Sequence, residues 1–150
     1  MEYVEFNNTP KGKKTTDCVL RAISFAMEKD YIETYKDMVE FSIKKGIFIS
    51  DNKFPKTYLK SKNIETQKMP RRNDNTRYTV REFADEIAEN GKTYILSIAH
   101  HLTVIKDKKL YDIWNCGHKS VGNYWILNSN DTKNITPKKE NKKKKRVVLY

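Results

Sequence analysis

The hydrophobic period of this chain changes near Gly91, and that change limits what it can fold into. From Val19 to Ala88 the apolar residues recur at helical spacing; from Tyr94 onward they alternate. Val19, Ala22, Ile23, Ala26 and Met27 form one apolar stripe, so a helix starts near Thr16 and Asp17, with Thr16 as N-cap and Asp17 in the first turn. A second helix is predicted from Tyr31 to Lys45, with Ile32, Tyr35, Val39 and Ile43 on one face and Gly46 as its stop. A shorter helix is expected around Phe54 to Lys62. A further one carries Val80, Phe83, Ala84, Ile87 and Ala88. Tyr3 to Phe6 alternate and predict a short strand; Asn7 to Thr16 and Gln67 to Arg77 read as loops. The later segments Tyr94–Ala99, His101–Ile105, Leu110–Trp114 and Val121–Leu127 read as strands. Helices first and strands afterwards predict an α+β domain, with N-terminal helices packed on a C-terminal antiparallel β-sheet.

The chain of 150 residues has room for one modest core, expected over residues 1–130, followed by a tail over 131–150. No apolar run approaches the roughly 20 residues that span a bilayer. The start of the sequence has no basic and apolar leader, so the expected location is cytoplasmic. In that compartment Cys18 and Cys116 are expected to stay unpaired. The net charge is +11, of which Lys138, Lys139, Lys142, Lys143, Lys144, Lys145 and Arg146, opposed by Glu140, contribute +6. Such a block is ordinarily a solvated run. Its functional reading is a tether to nucleic acid or another anionic surface, independent of sequence and weakened by salt. No recognised nucleic-acid-binding module accompanies it.

A cysteine nucleophile needs a favoured thiolate, a base within reach and a group that orients the base. Cys18 lies in the first turn of the first strong helix, where free backbone N–H groups favour S⁻. It stands beside the apolar stripe rather than on it. His101 opens a strand, and Asp112 lies on the next one. An even loop between those strands puts Asp112 on the same face as His101; an odd loop brings Asn115 opposite His101 instead. His100 points to the other face and is expected to be a buried structural histidine beside Leu102 and Val104. The run Cys116-Gly117-His118 has no common zinc spacing, so neither a metal nor another cofactor is expected.

The order of these motifs resembles the papain-like cysteine peptidase superfamily. Asp17-Cys18-Val19-Leu20-Arg21-Ala22-Ile23 is similar to the Asp-Cys helix start of the bacteriocin-leader-processing peptidases. His101-Leu102-Thr103-Val104-Ile105 and Leu110-Tyr111-Asp112-Ile113-Trp114 resemble the histidine strand and the Asn/Asp-x-Trp strand of the superfamily. Small phage-encoded and bacterial papain-like proteins share this set together with a later Tyr-Trp pair, here Tyr124-Trp125. The resemblance runs from Thr9 to Trp125 and implies a Cys18–His101–Asp112 triad, with Trp114 shielding the carboxylate. It implies a hydrolase or acyl transferase acting on a peptide or protein substrate, in a host cytoplasm if the chain is phage-encoded. Papain-like enzymes place a glutamine a few residues before the cysteine as oxyanion donor. This chain has none there and offers Asn8, Thr16 or backbone N–H groups. The alternative expectation is therefore a degenerate scaffold that binds or inhibits a partner.

Overall fold

Local signals in the sequence set most of the helix ends. In the computed structural model, which describes residues 1–127, α1 spans Cys18–Ala26 and α2 Tyr31–Lys45. Helices α3 and α4 span Phe54–Ser61 and Val80–Glu86. The Asp30 side chain accepts the Glu33 N–H at 3.1 Å to cap α2, and Gly46 ends it at φ 72°, a left-handed conformation that glycine adopts without strain. Thr79 and Glu82 cap α4 reciprocally, at 2.9 and 3.1 Å. Helix α1 begins one residue later than expected: Asp17, not Thr16, is its N-cap, and the Asp17 side chain makes no capping bond. The tail over 131–150, including Lys138 to Arg146, lies outside the described residues.

Strands β1 (Glu2–Glu5), β2 (Thr93–Ile98), β3 (His101–Lys106), β4 (Lys109–Asp112) and β5 (Tyr124–Leu127) form one sheet in the order β1-β4-β3-β2-β5. The class is α+β, but the sheet is mixed rather than wholly antiparallel. Strand β1 runs parallel to β4, pairing Tyr3 with Leu110 and Val4 with Tyr111. A parallel partner needs a long connection, and the four helices of the described residues lie within it. Strand β1 thereby covers an edge of β4 that would otherwise present unpaired backbone groups.

Helices cover both faces of the sheet. On one face α1, α2 and α3 bury Ile23, Met38, Phe54 and Tyr58 against Ile95, Leu102, Val104 and Leu127. On the other, α4 packs Val80, Phe83 and Ala84 onto Tyr94, Leu96, Ile105 and Leu110. Double coverage explains why β2 reads Thr-Tyr-Ile-Leu with every one of those residues buried.

The apolar face read on α2 is not the face that is buried. Ile32 and Tyr35 are exposed, and Ile43 is 65% exposed. Thr34 and Met38 are buried instead, with Tyr31 and Phe41 packed beside them. Thr34 can be buried because its hydroxyl donates to the Asp30 carbonyl at 2.7 Å. Phe41 meets Phe54 and Tyr58 edge-on, at ring-centroid distances of 5.8 and 5.4 Å. Among the described residues no helix is long and apolar enough to cross a membrane.

Candidate active site

The site is set by a turn. Asp107 and Lys108, at φ 51° and 65°, form a two-residue connection between β3 and β4. Two positive φ values suit the twist of a tight hairpin. The register pairs Ile105 with Leu110 and Val104 with Tyr111, so the loop is even. Asp112 therefore falls on the face of β3 that carries Thr103 and His101.

His101 Nε2 lies 2.7 Å from Asp112 Oδ2. The other ring nitrogen is left for Cys18, whose thiol interacts with the His101 ring and with the Leu102 backbone. Asp112 is held from several sides. Thr103 Oγ1 donates to Oδ2 at 2.5 Å, and the Ile113 N–H donates to Oδ1 at 2.7 Å. The Cys116 thiol sits 3.7 Å from Oδ2, and Arg21 Nη2 sits 4.0 Å from Oδ1. Trp114 Nε1 is 3.3 Å from His101 Nε2, a nitrogen whose proton already points at Asp112. With no lone pair free there, the contact is ring packing, at 5.5 Å between centroids. Trp114 thus walls the imidazole rather than the carboxylate. It is itself 38% exposed.

These contacts set the protonation states. Burial pushes the Cys18 thiol up, but the His101 hydrogen bond, the Leu102 N–H and the charges of His101 and Arg21 outweigh it, and its pKa is lowered. Burial pulls His101 down, while the Asp112 hydrogen bond and the Cys18 contact raise it, to about 9. Burial likewise raises Asp112, and the bonds from His101 and Thr103 bring it below the usual carboxylate value. Both shifts run toward the charged forms, a Cys18 thiolate facing a His101 imidazolium.

Of the other sequence candidates, Asn8 lines the same cleft as Cys18. Asn8 spends its NH₂ group on Ser24 Oγ at 2.9 Å, and its buried Oδ1 has no hydrogen-bond partner. Thr16 is exposed in the loop before α1. Asn115 is exposed, and its Oδ1 accepts the Gly117 N–H at 3.1 Å, within its own loop. His100 is not a buried core residue: it occupies the β2–β3 turn at φ 54°, exposed, because the tight hairpin needs a left-handed residue there. His118 packs against Trp114 at 6.3 Å rather than joining a metal set with His100 or Cys18. Among the described residues, His101, Asp112 and Cys116 bring three ligand atoms within 4.8 Å of one another. Their atoms are engaged with one another by hydrogen bonds.

Sequence reasoning missed Thr103 and Arg21. Thr103 was detectable as the residue two beyond His101, on the same strand face. Arg21 was detectable as a cation inside an otherwise apolar helix stretch, Val19-Leu20-Arg21-Ala22-Ile23. A cleft of about 260 Å³, open to solvent, runs from Cys18 past Arg21 and Ala22 to Phe25 on α1, with Leu102, Val104 and Tyr111 opposite. No family model, curated protein or solved structure matches this chain.

Proposed function

We propose that the chain is a papain-like cysteine hydrolase or acyl transferase acting on a peptide or isopeptide bond. The observation that carries this reading is one ordered line of contacts. Cys18, at the N-terminus of α1, interacts with His101, whose Nε2 meets Asp112 at 2.7 Å. The class of chemistry follows from the residue types.

The Cys18 thiolate attacks the carbonyl carbon, forming a C–S bond and moving the π electrons onto oxygen. The oxyanion faces the first turn of α1, where no side-chain cap competes for the N–H groups. Collapse of the intermediate breaks the C–N bond, and the His101 imidazolium gives its proton to the leaving amine. Water, or a second amine, then attacks the thioester while neutral His101 takes its proton, and the Cys18 thiolate leaves. Asp112 keeps one tautomer and one ring orientation throughout.

A mixture of peptides from a digested proteome, incubated with the protein, tests this reading by mass spectrometry. New amino termini and an acyl adduct on Cys18, both absent with Cys18→Ala, are the expected result. No cleavage and no adduct with any peptide overturns it.

A second reading is a binding protein on the same scaffold, and Asn8 favours it, since its NH₂ group donates to Ser24 Oγ at 2.9 Å and the loop before Cys18 carries no glutamine. An unchanged biological effect in a Cys18→Ser, His101→Ala double variant supports that alternative. The basic block Lys138 to Arg146 fits it as a tether to an anionic surface.

A further inference from the structure

Arg21 is buried one turn below Cys18 and lies between two carboxylates. It is 8% exposed. Its Nη1 donates to Asp17 Oδ1 and reaches the Thr15 carbonyl at 3.4 Å; its Nη2 lies 4.0 Å from Asp112 Oδ1. Asp17 is the residue immediately before the nucleophile, and its side chain is drawn inward. Thr9 Oγ1 donates to its Oδ2 at 2.6 Å, and the Tyr31 hydroxyl does so at 2.5 Å. A carboxylate at an N-cap normally binds the first-turn N–H groups. This one is turned onto Arg21, and those N–H groups are left without it.

We infer that Arg21 is a positioning residue of the proposed site: it fixes the start of α1 against β4 through Asp17 and Asp112, and sets a permanent positive charge beneath Cys18. The inference rests on the reading of Cys18 and His101 as a reacting pair and goes beyond it, because it divides support of the thiolate between two cations on different elements.

A charge count shows what Arg21 does. The groups around Cys18 are Asp17 and Arg21 on α1, Tyr31 on α2, His101 and Thr103 on β3, Asp112 on β4, and Cys116 after it. Tyr31 and Cys116 are both held neutral, each at about 12, chiefly by burial. With Cys18 as thiolate, Asp17, Asp112 and Cys18 are negative, and Arg21 and His101 are positive. Removing Arg21 leaves three anions with one cation in a poorly solvated space. The Cys18 thiolate relieves that excess by taking a proton. Removing the Asp17 charge has the opposite effect, because Arg21 then acts on Cys18 without competition.

The test is the rate at which iodoacetamide alkylates Cys18 across pH, read by mass spectrometry on the full chain. In Arg21→Met, alkylation near pH 6 falls about tenfold relative to wild type, while rates near pH 10 agree within about twofold. Arg21→Lys, which keeps the charge, recovers most of the rate at low pH, and a purely packing role predicts no such rescue. Asp17→Asn shifts the profile the other way, with faster alkylation at low pH; this variant keeps the inference open to refutation should Arg21→Met fail to fold. A wild-type profile in folded Arg21→Met, or an unmoved profile in Asp17→Asn, overturns the role of Arg21 alone. A wild-type Cys18 that alkylates like an ordinary thiol overturns the reacting pair itself.

Discussion

The two cysteines share one neighbourhood and are driven in opposite directions. Cys18 and Cys116 both touch the His101–Asp112 unit, and burial pushes both thiols up. What separates them is the sign of the nearest charge. Cys18 faces the His101 ring with Arg21 behind it, and its pKa is lowered. Cys116 is fully buried against the Asp112 carboxylate and stands at about 12. Desolvation alone therefore does not decide which thiol is lowered; the orientation of one ion pair does. Cys18 meets the cationic end of that pair and Cys116 the anionic end.

The contrast breaks first on activity. Cys18→Ala lowers turnover of any peptide substrate by about 10⁴ or more, whereas Cys116→Ala lowers it by no more than about tenfold, the loss of one weak hydrogen bond to Asp112. Comparable losses in both variants would remove the distinction. Next, His101→Ala slows alkylation of Cys18 near pH 6 by about a hundredfold and leaves Cys116 unreactive, as mass spectrometry of the labelled peptides reports.

The pair also links stability to pH. His101 has a folded value of about 9, above its unfolded value of roughly 6.5. The stability it contributes is complete below the unfolded value and is lost as pH rises through about 9. In the wild type Cys18 offsets this loss, because its lowered pKa contributes stability that grows with pH up to the unfolded thiol value. Denaturant titrations in a Cys18→Ala background therefore show stability falling as pH rises through the His101 titration, a fall absent when His101→Ala is added. The smallest effect sharpens the comparison most. In a Cys18→Ala background, Asp112→Asn moves the Cys116 titration slightly downward, read by ultraviolet thiolate absorbance. In the wild-type background the same change makes Cys18 less reactive at low pH, because His101 loses the partner that keeps it charged.

Much of this arrangement can be read from the residues. The order of the elements follows from the switch in period at Gly91, and Gly46 and Thr79 mark helix ends through their own chemistry. The face shared by His101 and Asp112 depends on a single unknown, the parity of one loop, and Asp107-Lys108 makes it even. The face of α2 misleads because apolar content was the only guide. The buried stripe includes Thr34, whose hydroxyl is satisfied by the turn before it, a saturation that composition does not reveal. The parallel pairing of β1 depends on contacts across nearly the whole described chain, which no local window contains. His100 was misplaced for a related reason. Its turn lies between two strands that each read well, and the reversal needed a residue whose own preferences do not announce it.

The pairing of β1 with β4 also orders events in time. Tyr3 pairs with Leu110, the Tyr3 hydroxyl bonds the Asp112 carbonyl at 3.1 Å, and the Phe6 N–H bonds the same carbonyl at 2.9 Å. The strand that carries the carboxylate is thus completed by residues made more than a hundred positions earlier. Contacts of such separation form slowly, after local helices. On the ribosome, α1 can coil as soon as it emerges, yet His101 and Asp112 are still to be synthesised. A nascent chain therefore presents an ordinary thiol, and the surroundings that lower Cys18 form only when segments more than a hundred residues apart have met.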